Sequence, residues 1–382
     1  MTLLDKVRAV GGTAKAPAPA PRSFSDCYVR KETRELDAFP YALSLSRESL
    51  MLMQSQDLPD PVDPMRILYL DTETTGLGGG AGTVAFEIGL GQLTPDGFQI
   101  TQLVMRDYPE EKYMLQRVEN ALDNADLLCT FNGKSFDIPL LRTRFLMNRM
   151  NPACLDMPHI DLLPLARRIW KLRIRQCTLQ RLETEILHMP RMDDLPGSEA
   201  PQRYFSYLKT GEFALLEDVL RHNAQDVASM CVLLSHMANL YRAPDDNLPC
   251  EDLFSMAKAL EKEKHPHKAR MLYHKVPQGK LHASSQMRLA DIHRREGNQQ
   301  MSAAIYEHMI QNHEGGVMPY IALAKYKEHT LRDIEGALNL TRQALMLLAE
   351  PTLESDTTVQ ETRFALQYRY ERLLKRSGKV CD

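Results

Sequence analysis

No apolar run in the chain approaches the roughly 20 consecutive residues that a membrane-spanning helix requires, so no membrane partner is expected. Charge of one sign is also not in excess. The 47 basic and 50 acidic residues leave a net charge of −3. That balance excludes a wholly basic nucleic-acid coat protein and leaves only local patches for polyanion contact. The seven cysteines form no CxxC pair and no metal-ligand spacing, which argues against a zinc module or a disulfide framework. An odd, unpatterned set of thiols suits a reducing compartment, and the expected location is the cytoplasm. The first residues, MTLLDKVRAVGG, carry an acid and bases within a weak apolar pattern and lack a signal core.

What is present is an ordinary soluble composition, 43% apolar and 25% charged, over 382 residues. That length allows two or three domains, each with its own core. Residues 1–60 read as an accessory arm, partly disordered, with an extended and mobile Ala/Pro stretch at Ala14–Pro21. Residues 65–242 read as α/β. Ile67-Leu68-Tyr69-Leu70 is a short β-prone run, hence a buried strand. The Gly-rich TTGLGGGAGT after it lacks the Gly-Lys-Ser/Thr ending of a phosphate-binding loop and is expected to be a tight hairpin loop. Thr83–Leu93 and Phe98–Arg106 read as the next strands, turned by Pro95-Asp96-Gly97. Helix Glu111–Asn124, strand Leu127–Phe131, helix Asp137–Met150 and a fifth strand near Cys154–Asp161 follow, with helices to Tyr241. This order predicts an RNase H-like mixed five-stranded sheet flanked by helices.

The strand Ile67–Leu70 runs into Asp71 and Glu73. Side chains at i and i+2 leave the same face of a strand, so two carboxylates project together there. Adjacent carboxylates repel unless a cation neutralises them, and hard divalent ions prefer oxygen ligands. A second acid, Asp137 in NGKSFDIPLL, stands at the start of a helix. Taken alone it reads first as an N-cap, with Pro139 in the first turn. A third position is Asp226 in RHNAQDVASM. Leu215, Val219, His222, Asp226, Met230 and Leu233 fall at spacings of three and four, so His222 and Asp226 interrupt an inward-facing apolar stripe. A buried carboxylate needs a cation or a protonated partner; a His–Asp pair one turn apart would also satisfy that need. A haloacid-dehalogenase-like phosphatase start would require Asp where Glu73 stands, and it leaves NGKSFDIPLL without a role.

DTETTG, NGKSFDIPLL and the late Asp226 resemble the three motifs of the DEDD-type 3′–5′ exonucleases, which are RNase H-like, two-metal nucleases. The second motif is similar to that of the proofreading domains of family B DNA polymerases. CTLQRLE, DDLPGSEAPQRYFSYLKTGE and HNAQDV also resemble the bacterial YprB-type RNase H-like proteins. The resemblance spans about Met65 to Leu240. It implies that Asp71, Glu73, Asp137 and Asp226 hold two divalent cations, Mg²⁺ or Mn²⁺, with Asp71 bridging, and that His222 is the general base. The superfamily places Tyr at that spacing or His one residue further away, so His222 departs from the wider pattern while matching the YprB type. Thr74 and Asn132 are expected near the substrate. The implied partner is a nucleic acid, DNA or RNA, with a single-stranded 3′ end.

Arg167, Arg168, Lys171, Arg173 and Arg175 surround Trp170. The run suits phosphate binding with base stacking on the indole, and equally a solvated helix end. From about residue 250 to 375 the chain reads as helical with a period of 33–34. Ala257, Ala290 and Ala324 recur, as do Tyr273, Tyr306 and Leu340. Ala269, Ser302 and Gly336 fill a small-residue position, with Gly297 at a turn. This pattern resembles tetratricopeptide repeats and implies a surface for a protein partner; an ordinary helical bundle is the alternative. Gly378–Asp382 is expected to fray.

Overall fold

The apolar run Ile67–Leu70 forms the middle of a mixed sheet in a computed structural model of the chain. The structure describes residues 26–54, 58–76, 82–189, 191, 195–245, 247–349 and 356–378. The Ala/Pro stretch, the glycines at 78–80 and the tail from 379 lie outside the described residues. The chain divides into two units, one of residues 1–36, 66–157 and 193–228, the other of residues 37–65, 158–192 and 229–382.

The strands are β1 (Tyr28–Arg34), β2 (Ile67–Thr74), β3 (Ala85–Thr94), β4 (Gly97–Val104), β5 (Leu127–Thr130) and β6 (His159–Asp161), in the order β1-β4-β3-β2-β5-β6. β2 runs antiparallel to β3 and parallel to β5. Among the described residues, six strands therefore stand where five were expected. The additional one is β1, which lies in the segment read as an arm and pairs with β4 from Tyr28 to Arg34. As an edge strand it is only partly buried and rich in charge, and so it lacks the apolar signal of an inner strand. The β3–β4 hairpin closes at Pro95-Asp96, with Thr94 paired to Gly97.

The helices of the first unit include α2 (Glu111–Asp123), α3 (Asp137–Met147), α6 (Ala200–Thr210) and the beginning of α7 (Glu217–Arg242); α1 (Arg47–Met51), α4 (Leu162–Ile174) and α5 (Leu179–Glu185) belong to the second. One core joins Leu68 and Leu70 of β2 with Leu128 of β5, Met114, Leu115 and Val118 of α2, and Leu140, Leu141 and Phe145 of α3. Each such fully buried side chain contributes about 1.5–3 kcal/mol. Arg144 of α3 is held inside by the Glu111 carboxylate of α2.

The alternate face of the sheet receives α7, and two glycines permit it. A Cβ on Gly89 of β3 would stand 2.1 Å from Asn223 Oδ1, and one on Gly91 would stand 2.4 Å from Val227 Cγ1 and 2.5 Å from Phe98 Cζ. The helix therefore approaches the β3 backbone more closely than any side chain would allow.

The second unit continues as α8 (Cys250–Lys262), α9 (Pro266–Lys275), α10 (His282–Arg295), α11 (Gln299–Gln311), α12 (Met318–Tyr326), α13 (Ile334–Leu347) and α14 (Asp356–Arg376), each packed on the next. Ala257, Ala290, Ala324, Tyr273 and Tyr306, picked out by the period, are all buried. Glu328, fully buried in a π-helical turn after α12, accepts hydrogen bonds from Arg369, Arg372 and Arg376 of α14. Among the described residues no helix is long and apolar enough to cross a membrane.

Gly91→Ala would force Val227 and Phe98 aside. Overpacking of this kind costs about 1–3 kcal/mol, and a lowered urea midpoint with an unchanged m-value would register it.

Candidate active site

β2 lies inside the sheet, paired with β5 over Ile67–Tyr69 and with β3 on through Asp71 and Glu73, so the acids at its end are held by the β3 side of the ladder. Asp71 and Glu73 leave one face. Thr72 leaves the other, and its hydroxyl donates to Asp137 Oδ1. Asp137 is the first residue of α3, whose N-cap position is Phe136 and makes no side-chain capping bond. Its buried carboxylate is thus turned toward the end of β2, and the N-cap reading does not hold for it. From the α7 side, His222 Nε2 stands 3.7 Å from Asp226 Oδ2 and 3.9 Å from Glu73 Oε1.

The four acids sense one another. Burial raises the pKa of Asp71 well above the usual carboxylate range, and the charges of Asp226 and Asp137 raise it further. Glu73 is raised in the same direction, first by burial and then by Asp71, Glu87, Asp226 and Asp137. Oxygen donors crowded in this way match the chemistry of a hard divalent cation, which would remove the repulsion. Among the described residues, no three His, Cys, Asp or Glu side chains form a ready-made metal-binding cluster. The acids stand as neighbours rather than as a closed coordination shell.

Three further residues were not picked out by their spacing. Asn223, fully buried, donates from Nδ2 to Asp71 Oδ2 at 2.9 Å. Gln102 Nε2 lies 3.3 Å from Asn223 Oδ1, 2.7 Å from Glu87 Oε1 and 2.6 Å from the Leu220 carbonyl. That carbonyl can only accept. It therefore turns the amide nitrogen of Gln102 toward Asn223, and Asn223 in turn presents its own nitrogen to Asp71. Glu87 pairs across the strands with Glu73. Burial pushes its pKa up to about 8 against the opposing Gln102 hydrogen bond, and its Oε2 has no hydrogen-bond partner among the described residues. The available signal was the pair of glycines in the strand sequence EIGLG, since a strand glycine marks close backbone approach.

The expected substrate residues are placed differently. Thr74, largely buried, donates its hydroxyl to the Gly76 carbonyl at 2.8 Å. Asn132 takes a positive φ of 68° in the loop before α3, a conformation that asparagine tolerates. Arg168, Trp170 and Lys171 belong to the second unit. Trp170 is only 1% exposed and stacks on His236, with the ring centroids 6.2 Å apart. It follows Leu162, Leu165, Ala166 and Ile169 on the buried stripe of α4, so its ring has no open face for a base. This corrects the stacking expectation. Arg168 is committed to Glu263 Oε1 at 2.8 Å and the Met53 carbonyl at 3.1 Å. Lys171 is exposed.

A family model described as RNase_H superfamily (RNase_H_2) matches residues 68–238, which include all four acids. The uncharacterized protein YprB of Bacillus subtilis (strain 168) is 31% identical over 286 residues, covering 73% of this chain and 69% of that protein. The chain belongs to the YprB family. Its RNase H superfamily domain carries the acids of β2, α3 and α7. Among solved structures, a family B DNA polymerase from the archaeon Pyrobaculum calidifontis aligns with a TM-score of 0.38 and 14% identity, over 71% of this chain and 34% of that chain.

Two outcomes follow from the geometry. If the carboxylates hold a cation, Asn223→Ala, which removes the donor to Asp71, should weaken its binding about 10- to 100-fold, the usual effect of losing a group that orients a ligand; Asn223→Asp, which places an acceptor against Asp71, should not restore it. Glu87 concerns stability instead. Its folded pKa lies above the ordinary 4.5, so the folded chain retains a proton that the unfolded chain releases. Stability is then fully present below about pH 4.5 and declines as pH rises toward about 8. Glu87→Gln should flatten that decline, as read from urea unfolding at several pH values.

Proposed function

We propose that this YprB-family chain is a metal-dependent 3′–5′ exonuclease of the DEDD type that hydrolyses nucleic-acid phosphodiesters with two divalent cations, Mg²⁺ or Mn²⁺. The observation that carries the reading is the meeting of Asp71 and Glu73 with Asp226 and Asp137, delivered by three separate elements to the end of one inner strand. Crowded carboxylates of raised pKa are costly to keep without a cation, and a purely structural site has no use for four of them.

Asp71, Glu73, Asp137 and Asp226 would hold the cations. When bound, the cations supply charge neutralisation, an activated water and stabilisation of the leaving oxygen. The chain's own groups do the rest. Asn223 fixes the orientation of Asp71, and Thr72 fixes that of Asp137. His222, 3.9 Å from Glu73 and 3.7 Å from Asp226, would accept the proton of the attacking water. The RNase H superfamily membership supports a nuclease reading. The packed helices of period 33–34 support a TPR-like module for a protein partner, and the free thiols among the described residues suit the cytoplasm.

The competing readings are an adaptor that uses the fold without catalysis and an endonuclease that uses the same acids. Incubation with Mn²⁺ and end-labelled DNA or RNA should give laddering from the 3′ end, abolished by Glu73→Ala. A single internal cut would favour the endonuclease. Cation binding should also raise the melting temperature more at about pH 8 than at about pH 5, where protons already relieve the raised-pKa acids. The absence of any cation-dependent shift would favour the adaptor.

A further inference from the structure

We propose that the cleft between α4 and α8, in the second unit, binds the phosphate backbone of a single nucleic-acid strand; the choice of ligand class rests on the exonuclease reading. The cleft has a volume of about 610 Å³ and is lined by Arg167, Lys171, Lys258, Lys262 and the edge of Leu172, with no carboxylate in its wall. Arg167 and Lys171 are four residues apart on α4, and Lys258 and Lys262 are four apart on α8. Each pair thus forms a row along one helix face, spaced by about one turn, 5.4 Å. All four are exposed, and none forms an ion pair with a described residue.

The acids that could neutralise this surface are already committed. Glu263 receives Arg168, and Asp252 receives Arg173 at 2.7 Å. These four cations, of which Lys258 also lies over the Phe254 ring at 5.7 Å from its centroid, are therefore concentrated in a chain whose overall charge is −3. Their type also discriminates between polyanions. An acidic peptide is best held by the paired N–H groups of arginine, whereas lysines act as point charges suited to a uniformly charged backbone. Three of the four are lysines. Leu172, 51% exposed at the rim, adds an apolar edge against which a base or sugar can lie. The basic run of α4 is thus half of a phosphate track whose other half comes from a helix about 90 residues further along the sequence.

Fluorescence anisotropy with a labelled oligothymidylate in EDTA tests the cleft apart from the carboxylate site. The Lys258→Gln/Lys262→Gln double variant should bind about tenfold more weakly at low salt, and its log K against log salt slope should be shallower by about 1.4, two phosphate contacts at about 0.7 each. Lys258→Arg/Lys262→Arg should bind like the wild type. Unchanged melting curves would show that the exposed substitutions leave the fold intact. Equal affinity and slope in the wild type and the Gln variant would overturn the proposal, as would tighter binding of a poly-glutamate peptide than of the oligonucleotide. Cleavage with Mn²⁺ is read separately. A wild type that binds the strand without cutting it would remove the exonuclease reading and leave the cleft standing. One that cuts with binding insensitive to Lys258 and Lys262 would do the reverse.

Discussion

Repulsion among carboxylates governs the first unit. Asp71 and Glu73 leave the same face of an inner strand, and Asp226 and Asp137 close in from two helices. Such a group is tolerated only where protons or cations compensate it. The surrounding structure accordingly provides donors. Thr72 bonds Asp137, Asn223 bonds Asp71, and Gln102 bonds Glu87. The rest of the unit can be understood as the framework that keeps these donors in register: a sheet fixed on both sides of β2, and a helix let down onto β3 by Gly89 and Gly91.

Much of this was legible in the sequence. DTETTG placed two acids at the end of a buried strand, because alternation in a strand is a strict geometric rule. The helical stripe through HNAQDV placed Asp226 on an inward face, whereas FDIPLL placed Asp137 only at a helix start, and its link to the other acids came from the resemblance. The hairpin at Pro95-Asp96 and the helices from 111 and 137 followed from turn chemistry and apolar period. The edge strand β1 was not legible, since half-solvated strands dilute their pattern with charge. Trp170 stands among five bases in the sequence, yet it falls on the apolar stripe of α4, so its burial follows from helix period rather than from the charge around it.

The polar chain behind Asp71 was hidden for a different reason. Glu87, Gln102 and Asn223 come from β3, β4 and α7, and no local spacing links them. The sheet register, which sets Glu87 opposite Glu73 and Gln102 opposite Gly89, and the approach of α7 over Gly89 bring them together. The second unit differs in kind. From α8 to α14 each helix packs on the next, whereas the pairing of α4 with α8 and the tie from Glu328, just after α12, to α14 join residues far apart in the sequence.

The Leu220 carbonyl gives this arrangement a particular durability. It is a main-chain atom, so no substitution at position 220 that preserves the helix removes it. Through Gln102 it sets which end of each amide faces which neighbour, and the sense of hydrogen bonding runs one way to Asp71. The orientation that Gln102 and Asn223 pass on to Asp71 is thus anchored in the peptide backbone of the helix rather than in a further side chain.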